Sequence, residues 1–317
     1  MIDELKVFTG NAHPSLAQGI SDYLGIPLGK AEVSEFSNEN TFVRLLESVR
    51  ERDVFVVQPI CSPVNRSLME LLIMLDAVKR ASAGRITAVV PYYGYGRTDK
   101  KDQPRVPITA RLIADLITVA GANRLLTMDL HAGQIQGFFQ IPVDELTALH
   151  LMTRHFRKKA IDNLVVVATD IGISKRARDL AERLSVPLAI IEKRRIGNTG
   201  KAETLNVIGD VKGMRALTLD DEIDTAGSLA GAVAALLQQG AKEVYACCTH
   251  PVLSGPAIEN IQSCPVKELV VTDTIPVVGR KKIKKITVLS VAPLLGEAIH
   301  RIHTGLSMGA MFEEFEA

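Results

Sequence analysis

Short apolar runs rich in β-branched residues alternate along the chain with longer runs that have helical spacing. The run at 53–58 predicts a buried strand, and apolar residues three and four positions apart over 68–81 predict the helix that follows it. The other predicted strands are 85–91, 125–130, 164–168, 188–191, 216–219, 244–248 and 268–271, and the other predicted helices are 108–120, 174–184 and 229–239. Strands separated by helices indicate the α/β class, with parallel sheets covered by helices on both faces.

The length of the chain, 317 residues, is more than one hydrophobic core of ordinary size requires. The strands and helices fall into two series of similar build, which meet near 141–148. We therefore predict two similar α/β domains, 1–147 and 148–317. No residue-level repeat accompanies the two series, so this prediction depends on the pattern alone.

The composition makes several kinds of partner improbable. Aromatic residues make up 4% of the chain and Trp is absent, so a base-stacking surface for single-stranded nucleic acid is not expected. The net charge of +1 gives no overall attraction to nucleic acid or anionic lipid, and the basic run 281–285 is interpreted as a solvated edge segment. The sequence shows no signal peptide and no apolar stretch of membrane length, which indicates a cytoplasmic protein without a membrane partner.

The four cysteines have no spacing typical of a metal site or a disulfide framework. They form no CxxC pair, and no His lies at zinc-finger spacing from them. Cys247 and Cys248 stand in an apolar run, so small buried core residues are the expected role.

The stretch 216–228 carries the clearest chemical signal. A predicted strand leads into two adjacent carboxylates, Asp220 and Asp221, at the edge of a parallel sheet where ligands of open α/β folds bind. The loop that follows opens a helix and contains Asp224, Thr225, Ala226, Gly227 and Ser228. Backbone N–H groups at a helix start bind phosphate, and paired carboxylates accept from vicinal hydroxyls, so the string predicts a sugar-phosphate site. The alternative is an acidic turn in which Asp224 or Thr225 caps the helix.

This string resembles the phosphoribosyl-pyrophosphate loop of type I phosphoribosyltransferases and of ribose-phosphate pyrophosphokinases. Three further stretches resemble the second family: 91–101 (Pro-Tyr-Tyr-Gly-Tyr-Gly-Arg-Thr-Asp-Lys-Lys), 126–139 with its His131, and 192–195 (Glu-Lys-Arg-Arg). The resemblance runs from Phe8 to Phe312, which is essentially the whole chain. It implies two domains of the type I phosphoribosyltransferase kind. It also implies an enzyme that transfers the β,γ-pyrophosphoryl group of ATP to the C1 hydroxyl of ribose 5-phosphate.

The same resemblance implies roles for particular residues. Lys193 and Arg195 would be the catalytic cations of a closing flap that continues to residue 201. The ATP-binding residues would be Phe36, Asn38, Asn40, Arg97, Thr98 and His131. Mg²⁺ is the implied cofactor, with one ion near His131 and Asp170 and another beside the ribose hydroxyls near Asp220 and Asp221. Ribose 5-phosphate would bind Asp220, Asp221, Asp224, Thr225, Ala226, Gly227 and Ser228.

Several of these residues also have a structural interpretation from sequence alone. A single His at a strand end is most often simply hydrogen-bonded, and imidazole is a poor ligand for Mg²⁺. Asp170 could cap the helix that starts at Ser174. Phe36 could be a core residue, and 192–195 a solvated basic turn.

The chain also departs from the family pattern. Asn38-Glu39-Asn40 stands where Asp-Gly-Glu is usual, Thr98 replaces Gln, and Ala168-Thr169 replaces Ser-Pro before Asp170. At the family's regulatory site, which phosphate activates and ADP inhibits, some residues match and others are replaced. The matching residues are Ser48, Arg50 and Ser307, and the replacements are Gln103, Pro104 and Gly309. Fewer hydroxyl and cationic donors weaken an anion site, so we expect altered and weak phosphate dependence.

Two other functions are compatible with parts of the sequence. A phosphoribosyltransferase would use the same loop, and a catalytically silent regulatory subunit would keep the fold. The carboxylates and cations of the implied active site are all retained, and an additional α/β half, 1–147, carries the nucleotide-like segments with Arg97 and His131, so the enzyme is favoured. The resemblance further implies a homo-oligomer in which dimers assemble into a hexamer.

Overall fold

The computed structural model describes residues 4–195 and 203–311; at 193–195 and 203–205 it describes the backbone only. It divides into two compact units, one made of Met1–Thr147, Thr274–Pro276 and Ser290–Ala317 and the other of Ala148–Asp273 and Val277–Leu289. Each unit has a mostly parallel sheet flanked by helices, which confirms the predicted α/β class.

The first unit is built on a five-stranded parallel sheet with the strand order β1-β4-β5-β6-β7. Its strands are β1 (Leu5–Thr9), β2 (Ala31–Glu35), β3 (Thr41–Leu45), β4 (Asp53–Val57), β5 (Arg85–Val90), β6 (Arg124–Met128) and β7 (Val143–Leu146). Strands β2 and β3 form a separate antiparallel hairpin. The helices are α1 (Pro14–Leu24), α2 (Val64–Arg80), α3 (Thr109–Ala120) and α8 (Ala292–Thr304).

The second unit is built on a seven-stranded sheet with the order β10-β9-β8-β11-β12-β13-β14, in which only β10 runs antiparallel to its neighbour. Its strands are β8 (Leu164–Ala168), β9 (Leu188–Arg195), β10 (Glu203–Ile208), β11 (Arg215–Ile223), β12 (Glu243–Pro251), β13 (Glu268–Thr272) and β14 (Ile286–Leu289). The helices are α4 (Leu149–Lys159), α5 (Ser174–Leu184), α6 (Gly227–Gln238) and α7 (Ala257–Ser263).

The predicted strands and helices are all present, with ends that shift by a few residues. The strands at the centre of both sheets are buried along their whole length, as β4 and β8 show. This burial explains why each central strand appears as an unbroken apolar run in the sequence. Helix α6 ends just before Gly240, whose positive φ of 89° suits the residue that follows a helix end.

Helix α8 belongs to the first unit, whereas the sequence pattern placed residues 148–317 in one second domain. The Tyr23 side chain of α1 packs so closely on Gly296 that an added Cβ would lie 2.5 Å from the ring, and the Tyr23 hydroxyl donates to Glu297 at 2.9 Å. Small residues at this contact let the helices approach each other. Pairings of this kind are long-range, so local periodicity does not reveal them.

A buried polar cluster also fixes α8 to the first unit. Asp53, at the start of β4, is fully buried, and its two carboxylate oxygens accept from Nε and from one terminal nitrogen of Arg85. Arg85 also donates to the carbonyl of Ile302 at 2.9 Å, and Nδ1 of His303 lies 2.8 Å from the Asp53 carboxylate. The charge of Asp53 is therefore compensated by partners from β5 and from the last turn of α8.

The basic run 281–285 is only partly a solvated edge. Lys285 donates to three carbonyls at the end of α7, those of Ile261, Gln262 and Cys264, at 3.1, 2.9 and 2.6 Å. Lys281 donates to the carbonyl of Val252 at 2.8 Å. A cation at the C-terminal end of a helix satisfies carbonyls that have no partner within the helix.

The four cysteines are buried and free, as expected. Over residues 4–195 and 203–311, no helix combines the length and the apolar character that a membrane span requires.

Candidate active site

The carboxylates of the second unit meet at the carboxyl edge of its sheet. Strands β8 and β11 are parallel neighbours, and their pairing ends at Ala168 and Leu219. Asp220 and Asp221 lie in the part of β11 that continues beyond β8, rather than after the strand as predicted. The Thr169 hydroxyl, just past the end of β8, donates to Asp220 at 3.0 Å.

Negative charge is concentrated at this edge. Burial, together with the hydrogen bond to Asp221 and the charges of Asp221 and Asp170, raises the pKa of Asp220 from its usual 3.8 to about 7. Asp221 is itself buried, and its backbone N–H donates to Asp220 at 3.0 Å. A cation or a hydrogen-bond donor placed here would relieve the cost of holding both carboxylates as anions.

Asp170 has a structural contact as well as its place at this edge. Its Oδ1 accepts the backbone N–H of Ile173 at 3.1 Å, in the turn that leads into α5. This contact closes the turn before α5, and α5 has no side-chain cap, so the interpretation of Asp170 as a helix cap is wrong.

The predicted phosphate loop connects β11 to α6. Ala226 has the left-handed conformation, with φ 60° and ψ 10°, at the residue that precedes α6. No side chain caps α6, so the alternative that Asp224 or Thr225 is an ordinary helix cap is wrong. Thr225, Gly227 and Ser228 are exposed, and the N-terminal N–H groups of a helix remain available to an anion.

A second chain segment holds this loop, and sequence reasoning missed it. The Ser254 hydroxyl hydrogen-bonds the Asp224 carboxylate, and the Ser254 N–H donates to the Asp224 carbonyl at 3.0 Å. The Asn260 side chain donates to the carbonyl of Thr225 at 2.8 Å. Both residues follow β12, the next parallel neighbour of β11, so the position of that strand end was the available signal.

In the first unit, the segment after β5 carries Arg97 and Thr98. Gly94 is required there, because an added Cβ would lie 2.4 Å from the carbonyl of Ile60. The Tyr93 hydroxyl donates to the carbonyl of Ala110 at 2.9 Å, and the Thr98 hydroxyl donates to the carbonyl of Tyr95 at 2.7 Å. Thr98 therefore uses its hydroxyl within the segment.

This segment borders a cavity of about 270 Å³. The lining residues are Arg97, Thr98, Lys100, Asp102, Gln103, Val106 and Pro107. Arg97 and Lys100 are exposed cations at its wall, so the cavity suits an anionic group.

His131 lies beside this segment, because β5 and β6 are parallel neighbours and both segments leave the same edge of the sheet. A Cβ added to Gly96 would be 3.6 Å from the Cβ of His131. The Gln134 side chain donates to the buried Asp99 at 2.6 Å, which links the two segments again. The structure thus places the segment that carries Arg97 and Thr98 beside the segment that carries His131.

Phe36, Asn38 and Asn40 lie on the hairpin of β2 and β3. Phe36 is 57% exposed and makes a tilted ring contact with Phe42 at 5.4 Å, so the interpretation of Phe36 as a core residue is wrong. Asn38 accepts the backbone N–H of Asn40 at 3.3 Å within the turn. These side chains stand on an exposed tip.

Lys193 and Arg195 lie at the end of β9, where the backbone pairs with Leu205 and Glu203 of β10. Their side chains, and the rest of the predicted flap to residue 201, fall outside the described residues, as does Phe312. His131 and Asp170, the predicted metal pair, belong to different units, and their joint role stays a prediction. Among the described side chains, no group of three or more His, Cys, Asp or Glu is arranged to hold a metal ion.

Comparison with known proteins identifies relatives of both units. Residues 5–121 match the model of the N-terminal domain of ribose phosphate pyrophosphokinase, and residues 196–313 match the phosphoribosyl synthetase-associated domain. The ribose-phosphate pyrophosphokinase of Clostridium acetobutylicum is 55% identical over 312 residues, which are 98% of each chain. That of Caldanaerobacter subterraneus is 57% identical over 311 residues, again 98% of each chain.

A solved structure matches nearly the whole chain. The crystal structure of phosphoribosylpyrophosphate synthetase from Mycobacterium smegmatis is 44% identical and superposes with a TM-score of 0.91. The match covers 96% of this chain and 100% of the other.

Proposed function

The chain belongs to the ribose-phosphate pyrophosphokinase family, and we propose that the residues gathered at its two sheet edges carry out that family's reaction. The enzyme transfers the β,γ-pyrophosphoryl group of ATP to the C1 hydroxyl of ribose 5-phosphate, which gives phosphoribosyl pyrophosphate and AMP. The alternatives, a phosphoribosyltransferase and a silent subunit, are not favoured by relatives that match over the full length.

The arrangement of Asp220 and Asp221 before the loop 224–228 is the observation that supports ribose 5-phosphate binding in the second unit. Two carboxylates that share one edge can accept hydrogen bonds from vicinal ribose hydroxyls. The loop N–H groups and the hydroxyls of Thr225 and Ser228 can donate to the 5′-phosphate at the start of α6. The sugar would lie with its hydroxyls on the acids and its phosphate on the loop.

ATP binding is assigned to groups of the first unit. Arg97 and Lys100 can pair with phosphate oxygens at the cavity they border, Arg97 through a bidentate contact. Phe36 is exposed and can stack on the adenine ring, while the amides of Asn38 and Asn40 can both donate to and accept from its edge. His131 would face the phosphates from the neighbouring segment.

Lys193 and Arg195 are assigned the catalytic step. Phosphoryl-type transfer depends on alignment and on neutralising charge spread over the transferring group, rather than on a covalent intermediate. Two cations from the end of β9 would stabilise that charge during transfer.

Mg²⁺ fits the donors present. It prefers oxygen ligands, retains several waters, and typically needs one or two carboxylates plus substrate phosphates, so a closed protein cage is not required. Asp170 would hold an ion that serves the phosphates, Asp220 and Asp221 would hold the one beside the ribose hydroxyls, and a ligand role for His131 stays a prediction. When bound, the metal supplies charge neutralisation on the phosphate oxygens. The burial of Asp220 beside Asp221 and Asp170, which raises the pKa of Asp220, supports this assignment.

We further infer a cytoplasmic homo-oligomer in which dimers assemble into a hexamer, with no nucleic-acid or membrane partner. Light scattering of the purified protein measures the mass directly. A single species of monomer mass would contradict the oligomer.

The function is tested by incubating purified protein with ATP, Mg²⁺ and ribose 5-phosphate and quantifying AMP and phosphoribosyl pyrophosphate separately. The two products are expected in equal amounts, with none when Mg²⁺ is chelated. Formation of product only when a nucleobase is supplied would instead indicate a phosphoribosyltransferase. Binding of both substrates without turnover would favour a regulatory subunit.

Phosphate is expected to change the activity only weakly. Gln103, Pro104 and Gly309 stand where the family usually has hydroxyl or basic donors, so an anion at the regulatory site has fewer partners. ADP is expected to inhibit mainly by competing with ATP. The measurement is the initial rate over a wide range of phosphate concentration, and strong activation by phosphate would contradict the prediction.

Replacing Ser254 by alanine is expected to raise KM for ribose 5-phosphate about three- to tenfold, because a hydrogen bond to the Asp224 carboxylate is lost. Asn260→Ala is expected to act in the same direction through the carbonyl of Thr225. The KM for ATP should stay unchanged in both variants. Ser263→Ala is the matched control, since that hydroxyl donates to the carbonyls of Glu259 and Asn260 within α7. Unchanged KM for ribose 5-phosphate in both test variants would contradict the role of this segment.

A further inference from the structure

Glu70 is a buried carboxylate that the proposed reaction does not use. It lies in the second turn of α2 and is only 2% exposed. Its two oxygens accept four N–H groups: the backbone and side-chain nitrogens of Asn11 at 2.9 and 3.0 Å, Gln58 at 2.8 Å, and Nε of Arg66 at 3.2 Å. All four partners are donors, so only a carboxylate can satisfy them together.

Two of these donors also hold the hairpin of β2 and β3. The Asn11 side chain donates to the carbonyl of Val33 at 3.1 Å, and Nε of Arg66 lies 3.0 Å from the Glu35 carboxylate. Val33 and Glu35 are residues of β2, and Glu35 directly precedes Phe36. Glu70 therefore contacts the hairpin through two intermediaries, the Asn11 amide and Arg66, which both donate to its Oε1.

The hairpin depends on such contacts for its position. Within the described part of the chain, β2 and β3 pair with each other and not with the five-stranded sheet, so no backbone ladder holds them there. Val33, Val43 and Leu45 pack against the core of the first unit, but apolar contact is not directional. The directional hydrogen bonds from Asn11 and Arg66 fix the orientation of the hairpin on that core.

The geometry points to Glu70 as a positioning residue for nucleotide recognition. The buried charge orients Asn11 and Arg66, these hold β2, and β2 sets the placement of Phe36 and the two amides at the tip. An exposed ion pair between Arg66 and Glu35 would contribute little by itself. Arg66 also pairs with the Glu70 carboxylate, which is shielded from water. The inference rests on the proposed role of the hairpin in binding ATP.

Glu70→Gln tests the inference, because the side chain keeps its size but turns an amide donor toward other donors. We expect KM for ATP to rise about five- to twentyfold, with kcat and KM for ribose 5-phosphate nearly unchanged. Glu32→Gln is the matched control: Glu32 lies on the same hairpin, is half-exposed, and accepts from Arg44 at 2.7 Å, whereas the donors to Glu70 are Asn11, Gln58 and Arg66. That variant should behave like the wild type.

Hydrogen exchange gives a second measurement that does not require turnover. Amides of 31–45 should exchange faster in Glu70→Gln than in the wild type or in Glu32→Gln. If Glu70→Gln does not fold, Arg66→Ala takes its place, because Arg66 is 44% exposed and its loss is more easily tolerated.

The outcomes separate this inference from the proposed function. A wild type that makes no AMP refutes the proposed function, and hydrogen exchange still decides whether Glu70 positions the hairpin. An active wild type with unchanged KM for ATP in both Glu70→Gln and Arg66→Ala overturns the inference. Equal losses in kcat and in both KM values overturn it too, since they indicate general destabilisation rather than positioning.

Discussion

Lys193→Ala is expected to lower kcat for pyrophosphoryl transfer by about a thousandfold or more, because a cation over the transferring group stabilises charge that develops in the transition state. The affinities for ATP and ribose 5-phosphate should change little. Rapid-quench measurement of AMP formation gives kcat, and titration calorimetry gives the affinities.

Lys158→Ala is the control for this prediction. Lys158 is an exposed residue of α4 in the same unit, and its replacement should leave kcat as it is. A Lys193→Ala enzyme that retains more than a tenth of wild-type kcat would remove Lys193 from the catalytic step. Arg195→Ala would then be the next variant to measure.

Asp220→Asn is expected to abolish activity and, at pH 8, to stabilise the protein. The folded protein holds this carboxylate in a buried position beside two others, which raises its pKa to about 7. Removing the charge should increase the free energy of unfolding by roughly 1–3 kcal/mol at pH 8. Residues that serve a reaction at a cost to the fold show this opposition between activity and stability.

The pH dependence of that gain has a definite sign. Between the usual pKa of 3.8 and about 7, folded Asp220 keeps a proton that the unfolded chain has released. The contribution of Asp220 to the free energy of unfolding of the wild type therefore falls as the pH rises toward and through about 7. The difference in the free energy of unfolding between Asp220→Asn and the wild type should vanish near pH 4. Denaturant unfolding of both proteins across this range measures the difference. Asp22→Asn, at an exposed site of α1, is the control, and an equal gain there would contradict the explanation.

The parts of the fold that could be predicted are those whose information is local. Strands β4 and β8 are unbroken apolar runs because both faces are buried, and they are read directly from the sequence. The hairpin was missed because β2 and β3 are half exposed and each has only a few apolar residues mixed with polar and charged ones. The unit to which α8 belongs depends on contacts with residues more than two hundred positions away in the sequence, such as the contact between Tyr23 and Glu297.

The candidate site also has one part that the local sequence predicts and another that it does not. The acids and the loop of 220–228 form one contiguous string, so the strand, its carboxylates and the helix start could be found together. Ser254 and Asn260 reach the same loop from 30 and 35 residues further along, through parallel pairing that only the fold reveals. Glu70 stands in an ordinary amphipathic helix, and nothing in the local pattern marks it as buried.

The inclusion of α8 in the first unit has a consequence for how the protein is made. Its residues leave the ribosome only after the whole of Ala148–Leu289 has been synthesised. Until then, Asp53 lacks its contact with His303 of α8, and the face of α1 that receives Gly296 is uncovered. The first unit is therefore completed only after the second unit has been synthesised. The second unit can fold before the first is complete. A chain truncated after Leu289 and released from the ribosome would contain the whole second unit and an incomplete first one.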